Sequence, residues 1–429
     1  MRCHSFELLR QSPFTLEFGM LQTEELIPHL FRTEYSRITA VLGKLFGFDQ
    51  IEAAEDIASE TFLSALETWS FKGIPENPVA WLYAVAKNKA RNHVKRKNIF
   101  TEKIAGQIDY SSPQYSEPDI DLSDKNITDS QLAMLFAVCH PSISVESQIG
   151  LALRILCGFG IEEIADAFLT NKETINKRLF RAKETLRREN VKVELPGEPE
   201  IDKRLGAVLT TLYLLFNEGY YSESQAAVLR EELCEEAMRL ANLLVENEQT
   251  NKPPVNALLA LMCFHSSRFK ARKNENGEFV LYQDQDETLW DRELITKGVI
   301  FLRQASQGNE LSKYHLEASI AYWHTIKEDT KEKWDSILQL HDQLLLIEYS
   351  PIAALNRTYA LAKARGNREA IVEAEKLNLV NNHFYFTLLS ELYKDIDKDK
   401  AKQNLRKALA LAKTSTDKHT IQKTIDKLL

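Results

Sequence analysis

Apolar residues recur at three- and four-residue spacing along nearly the whole chain, and runs that alternate with period two are scarce. This pattern predicts an all-α protein. In one segment Ala54, Ile57, Ala58, Thr61, Phe62, Ala65, Leu66 and Trp69 follow the i, i+3, i+4, i+7 rule without a gap and form the core face of a helix. The other face shows Glu55, Asp56, Ser59, Glu60, Ser64 and Glu67 and is acidic. A second helix has its own start signal, a capping Asn77 followed by Pro78 in the first turn. It runs past Trp81 and Tyr83 into a tail with Lys87, Lys89, Arg91, His93, Lys95, Arg96 and Lys97 and no acid among them. Further on, Ile164 and Phe168 lie on one short helix, with small Ala165 at the crossing. The turn is Leu169-Thr170-Asn171, and Ile175, Leu179, Ala182 and Leu186 form the buried stripe of the next helix. That spacing predicts a helix-turn-helix.

Breakers divide the pattern. The stretch 101–128 has two prolines, many serines and, in its later part, no period, and reads as a linker. Val193–Glu200, with Pro196-Gly197 and Pro199, marks a second boundary. The predicted layout is an unassigned tail 1–19, a helical domain 20–100, the linker 101–128, a helical domain 129–190 and a long helical segment 200–429. Within the last segment Ala370 and Leu377 stand seven apart behind the turn Arg365-Gly366-Asn367. Ala401 and Ala408 stand seven apart behind Asp395–Lys400, 31 residues later. This is close to the 34-residue tetratricopeptide (TPR) period, in which small residues let paired helices pack, so a TPR-like solenoid is expected. Chance similarity within an all-α domain is the competing reading.

Composition narrows the function. The net charge is −8, shared about equally between the residues before and after 190, so a nucleic-acid site must be a local cluster. Five cysteines, an odd number with no C-x-x-C pair, fit a reducing cytosol and argue against a zinc site or a disulfide framework. No apolar run is long enough to span a membrane, and charges interrupt the first twenty residues, so no signal-peptide core is read. No phosphate-loop or nucleophile-elbow motif occurs. Cys263 and His265 are two ligands without partners, and His315, His324 and His341 read as packed or surface helix residues. No enzyme activity, metal or cofactor is expected.

The runs Ala54–Trp69 and Pro78–Asn92 resemble region two of a bacterial RNA polymerase sigma factor of the extracytoplasmic-function (ECF) type. The runs Ile161–Phe168 and Asn171–Lys183 resemble region four of the same family, in the same order. Tyr213–Tyr220, Asp284–Arg292 and Ala353–Arg357 resemble the C-terminal extension of an ECF subgroup whose extension is TPR-like. The resemblance implies a cytoplasmic subunit that binds core RNA polymerase and directs promoter recognition and DNA opening. Asp56, Ser59, Glu60 and Leu63 would dock on the clamp helices of the beta-prime subunit, with the beta subunit as a further partner. Trp81, Asn88, Arg91, Asn92, Lys95 and Arg96 would face the melted promoter element. The loop 70–77 would capture a flipped-out base.

In region four Lys172, Glu173, Asn176 and Lys177 sit where a recognition helix meets base edges, while Arg178, Arg181 and Lys183 would hold phosphates. The acidic linker, with Asp109, Glu117, Asp119, Asp121 and Asp124, would thread towards the polymerase cleft. The extension would act in place of a separate anti-sigma partner, through contact with the sigma domains. Residues 1–19 match nothing in the family, and their removal is expected to leave activity unchanged. Two other readings are a helix-turn-helix regulator with a TPR-type sensor and a helical interaction scaffold. The first does not explain the Asp56–Trp69 helix, and the second would need a ligand pocket within 200–429.

Overall fold

The computed structural model describes residues 23–105, 119–168, 170–221, 227–272, 280, 282–412 and 415–428. The tail 1–19, Cys3, the linker acids Asp109 and Glu117, and Leu169 of the expected turn lie outside the described residues. Among the described residues every regular element is helical, as the spacing predicts. The chain divides into two compact units between Leu243 and Leu244, inside the segment read as one extension.

The first unit holds α1 (Thr23–Phe46), α2 (Ile51–Lys72), α3 (Pro78–Ala105), α4 (Asp124–Val138), α5 (Val145–Leu151), α6 (Ile161–Ala167), α7 (Lys172–Arg188), α8 (Glu198–Tyr221) and most of α9 (Ala227–Glu246). Helix α1 is central and packs on α2, α3 and α4. Its Tyr35, Ile38 and Leu42 are fully buried, as are Leu132, Met134 and Leu135 of α4. Gly43 permits this approach: a Cβ there would stand 2.9 Å from Ile51 Cδ1 and closer still to Met134. Helix α4 starts at Asp124, within the stretch read as linker, and Ile120 and Leu122 just before it are buried. A π-helical turn, Ala152–Leu156, follows α5 and packs on α1 and α4. Helix α8 packs on α4 and α5, where Thr211 Oγ1 donates to Gln148 Oε1 at 2.8 Å.

The second unit holds α10 (Pro253–Ser266), α11 (Arg292–Ala305), α12 (Lys313–Trp323), α13 (Lys331–Ile347), α14 (Pro351–Arg365), α15 (Asn367–Leu377), α16 (His383–Tyr393), α17 (Lys398–Leu411) and α18 (Ser415–Leu428). From α12 onward each helix packs on its successor. Ala370, Ala401 and Ala408, the small residues of the repeat pattern, are fully buried with Ala374 and Leu405 in one continuous core that includes Leu389. Gly366 links α14 to α15 at φ +99°, a backbone state that residues with a Cβ rarely adopt.

Candidate nucleic-acid and polymerase interface

Helix α2 presents Asp56, Ser59, Glu60 and Leu63 together, at i, i+3, i+4 and i+7, and all four are exposed. Leu63 is 54% exposed and Leu66 47%, so an apolar strip runs between the acids. This strip corrects the sequence reading, which assigned Leu66 to the core. Glu60 pairs with Lys89 of α3 at 3.0 Å across the outer surface. A pair this exposed contributes little to stability, and its charges stay available to a partner.

Glu55 is the second correction. The helical wheel placed it on the solvent face with Asp56, but it is only 7% exposed. Its carboxylate accepts Arg154 Nε at 3.1 Å and Lys183 Nζ, a buried pairing from α7. Next to it Arg187 donates to Glu52 and to the carbonyl of Phe48, the latter at 2.7 Å. Lys183 is 8% exposed, so in this arrangement it is committed to Glu55 and does not offer its charge to phosphates, as its place in the basic run suggested. The α2–α7 seam therefore ties the helix expected to dock on polymerase to the helix expected to read the upstream element.

Helix α3 begins as its cap dictates: Asn77 Oδ1 accepts the Ala80 N–H at 3.0 Å and Pro78 occupies the first turn. Trp81, Asn88, Asn92 and Lys95 fall at i, i+7, i+11 and i+14 on one face. Asn88, Asn92, Lys95 and Arg96 are exposed, while Trp81 and Arg91 are half-buried. The Trp81 ring stands edge-on to the buried Trp69, centroids 5.3 Å apart, so this tryptophan is partly core and partly surface. At the end of α2 the side chain of Phe71 is 91% exposed, two residues beyond Trp69 and just before Gly73 at φ +82°. Sequence reasoning quoted this loop without singling out Phe71. The available signal was an aromatic residue beyond the last core position of the stripe.

Helices α6 and α7 are joined by a short turn. Glu163 accepts the Gly160 N–H at 2.6 Å to start α6, and Asn171 Oδ1 accepts the Thr174 N–H at 2.8 Å to start α7. Ile164, Ile175, Leu179, Ala182 and Leu186 are buried, as the stripe predicts. Lys172, Glu173, Asn176, Lys177 and Arg181 are exposed on the first turns of α7. Lys172 pairs with Glu162 and Lys177 with Glu173, each at 2.6 Å. Arg178 is half-buried, its guanidinium 5.4 Å from the Phe168 ring centroid. Phe180, exposed on the outer side of α7, was not anticipated.

Among the described residues no group of His, Cys, Asp and Glu could hold a metal ion, and no helix is long and apolar enough to cross a membrane. Burial pushes the Cys139 and Cys263 thiols up to about 12, so both are inert.

Comparison with known proteins fits this geometry. Residues 30–99 match the model of sigma-70 region 2, which covers most of α1, all of α2 and α3 as far as residue 99. Residues 204–306 match a family of unknown function, DUF6596. The chain is 31% identical over 389 residues, 89% of its length and 91% of the relative's, to the uncharacterized protein R00370 of Rhizobium meliloti, and belongs to the same family. It is 24% identical over 151 residues, 34% of this chain and 78% of the relative, to a protein named RNA polymerase sigma-H factor in Pseudomonas aeruginosa. No solved structure matches. The chain thus carries a sigma-70 region 2 and is related to sigma factors of RNA polymerase.

Proposed function

We propose that the chain acts as a sigma factor of the ECF type. In this reading it binds core RNA polymerase through the Asp56–Ser59–Glu60–Leu63 face and reads and opens promoter DNA through α3. It contacts an upstream element through α6 and α7, which work as a helix-turn-helix. The later helices, TPR-like in their successive packing and small buried alanines, form a regulatory extension. The reaction is chemistry of the polymerase, so no catalytic residue is assigned here.

One observation carries the reading. Inside the segment matched by sigma-70 region 2, an exposed acidic and apolar strip on α2 stands beside an exposed polar and basic strip on α3. The first suits a protein partner. The second suits single-stranded DNA, where lysines and arginines follow phosphates and aromatic rings stack on bases. The α2–α7 seam adds a resting state. Lys183 and Arg187 are held by Glu55 and Glu52, and in this reading the seam opens when the two regions engage two elements along one duplex.

The test is in-vitro transcription with core polymerase on the upstream region of the chain's own gene. Core binding and initiation from a defined start are expected. Sequence-specific DNA binding without any core binding would leave the helix-turn-helix regulator as the better reading.

A further inference from the structure

The second unit contains a cluster of four cations, of which Arg268 and Lys333 are buried, Lys327 is half-buried and Lys363 is exposed. Tyr282 lies at its centre. Arg268 stands 5.5 Å from the Tyr282 ring centroid, Lys327 5.8 Å and Lys333 5.1 Å. Lys333 and Lys363 each stand 5.6 Å from the Trp334 centroid, and the His324 ring lies edge-on to Tyr282 at 5.1 Å. Asp329 pairs with Lys363 at 3.1 Å and accepts the Trp334 indole N–H. Among the described residues no carboxylate comes within 4.0 Å of Arg268, Lys327 or Lys333.

Some of these charges have neutral partners. Lys327 Nζ donates to the carbonyl of Gln283 at 3.1 Å and of Gln285 at 2.5 Å, which ties down the 282–285 turn. Lys333 Nζ donates to Tyr282 Oη at 3.0 Å and to the Ile326 carbonyl at 2.6 Å. Lys333 is nonetheless 1% exposed and Arg268 7%, and Arg268 Nε and His324 Nδ1 are buried without a hydrogen-bond partner. Ring faces and carbonyls offset part of the cost of burying such cations, but they carry no net negative charge. Among the described residues Asp329 is the cluster's one paired carboxylate, Glu287 and Glu391 act on Tyr282 and Lys363 from further off, and the two most buried cations, Arg268 and Lys333, are paired with none. A charge excess kept out of water calls for an anion.

We propose that this cluster is a binding site for a phosphoryl group, with Lys333, Lys363 and Arg268 as donors and with Tyr282, Trp334 and Tyr359, whose ring lies edge-on to Trp334 at 5.6 Å, as aromatic walls. Lysine ammoniums are point charges that suit a tetrahedral group with several charged oxygens, whereas a lone carboxylate would be better met by paired arginine forks. The exposed rim at Asp329 and Lys363 gives access. The site would give the second unit an input of its own, and it stands or falls independently of the polymerase reading. The ligand is free phosphate or pyrophosphate, or the phosphate end of a small organic molecule.

The full chain can be tested by thermal unfolding and titration calorimetry with inorganic phosphate, pyrophosphate and ATP. Acetate and chloride at matched ionic strength serve as controls. Saturable binding with a rise in melting temperature is expected for at least one phosphoryl anion and not for the controls. Tighter binding of ATP than of pyrophosphate identifies an organic phosphate; equal or weaker binding identifies the free anion. Lys363→Met, at the rim, should weaken binding at least tenfold with the fold intact. Lys333→Met should abolish binding without lowering the melting temperature of the unliganded protein. The proposal is overturned if no phosphoryl anion acts beyond acetate and chloride, or if binding is unchanged in both Lys363→Met and Arg268→Met. It is also overturned if Lys333→Met lowers the unliganded melting temperature, as loss of a structural cation would.

Discussion

Lys183 in the first unit and Lys333 in the second are both long cations removed from water, but they are handled in opposite ways. Lys183 meets the carboxylate of Glu55, which also holds Arg154, so its charge is balanced inside the seam between α2 and α7. Lys333 meets a phenol and a carbonyl and is surrounded by further cations. A balanced buried charge fixes how two segments sit together, because either partner alone would be left in a poor solvent. An unbalanced one leaves a site whose best state includes something from outside.

The largest effect should come from removing the balance in the first unit. Glu55→Gln keeps the shape but leaves Lys183 and Arg154 without their carboxylate. The loss should be about 3–5 kcal/mol of stability in denaturant unfolding. A loss under about 1 kcal/mol would mean that the seam is not held by charge, and the contrast with Lys333 would lapse.

A second effect separates the units by pH. Burial pushes the His341 imidazole in the second unit down to about 4, with Asp342 opposing the shift. A folded-state value below the ordinary one of about 6.5 favours the neutral ring, so this contribution is full above pH 6.5 and is lost as pH falls towards 4. Between pH 7 and 5 it should cost about 2 kcal/mol. His341→Leu should remove this share of the slope, measured by thermal unfolding across the same range, and leave the share of His265 and His324, which burial shifts in the same sense.

The smallest effect on the fold should come from charges that are neither buried nor balanced. Replacing Asp56 and Glu60 by lysine breaks only the exposed Glu60–Lys89 pair and should change stability by less than about 1 kcal/mol. The same change should abolish retention on core polymerase, measured by co-purification. Unchanged retention would remove the α2 face from the polymerase interface.

Much of this was legible in the sequence because a helix writes its faces at fixed spacing. The stripe from Ala54 to Trp69, the cap at Asn77, the buried row Ile175–Leu186 and the small alanines of the later helices all appear where the period puts them. Asp56, Ser59 and Glu60 on the outer face of α2 were legible for the same reason, whereas Leu63 and the set Asn88, Asn92, Lys95 and Arg96 on α3 came with the resemblance to region two. Leu66 and Phe71 were harder, since an apolar residue at the edge of a stripe can face core or water equally well by spacing alone.

The sequence by itself determined that the chain is helical, which residues share a helix face, where α3 and α7 begin, and that acids and bases are segregated on α2 and α3. The tertiary structure alone decided that Glu55 is buried while Asp56 beside it is not, that Lys183 answers Glu55 from 128 positions away, and that Tyr282 draws together cations from Arg268 to Lys333. The reason is physical. Periodicity records the angle of a side chain about its own helix axis, but whether that angle meets solvent, an opposite charge or a like one depends on what the rest of the chain packs against it.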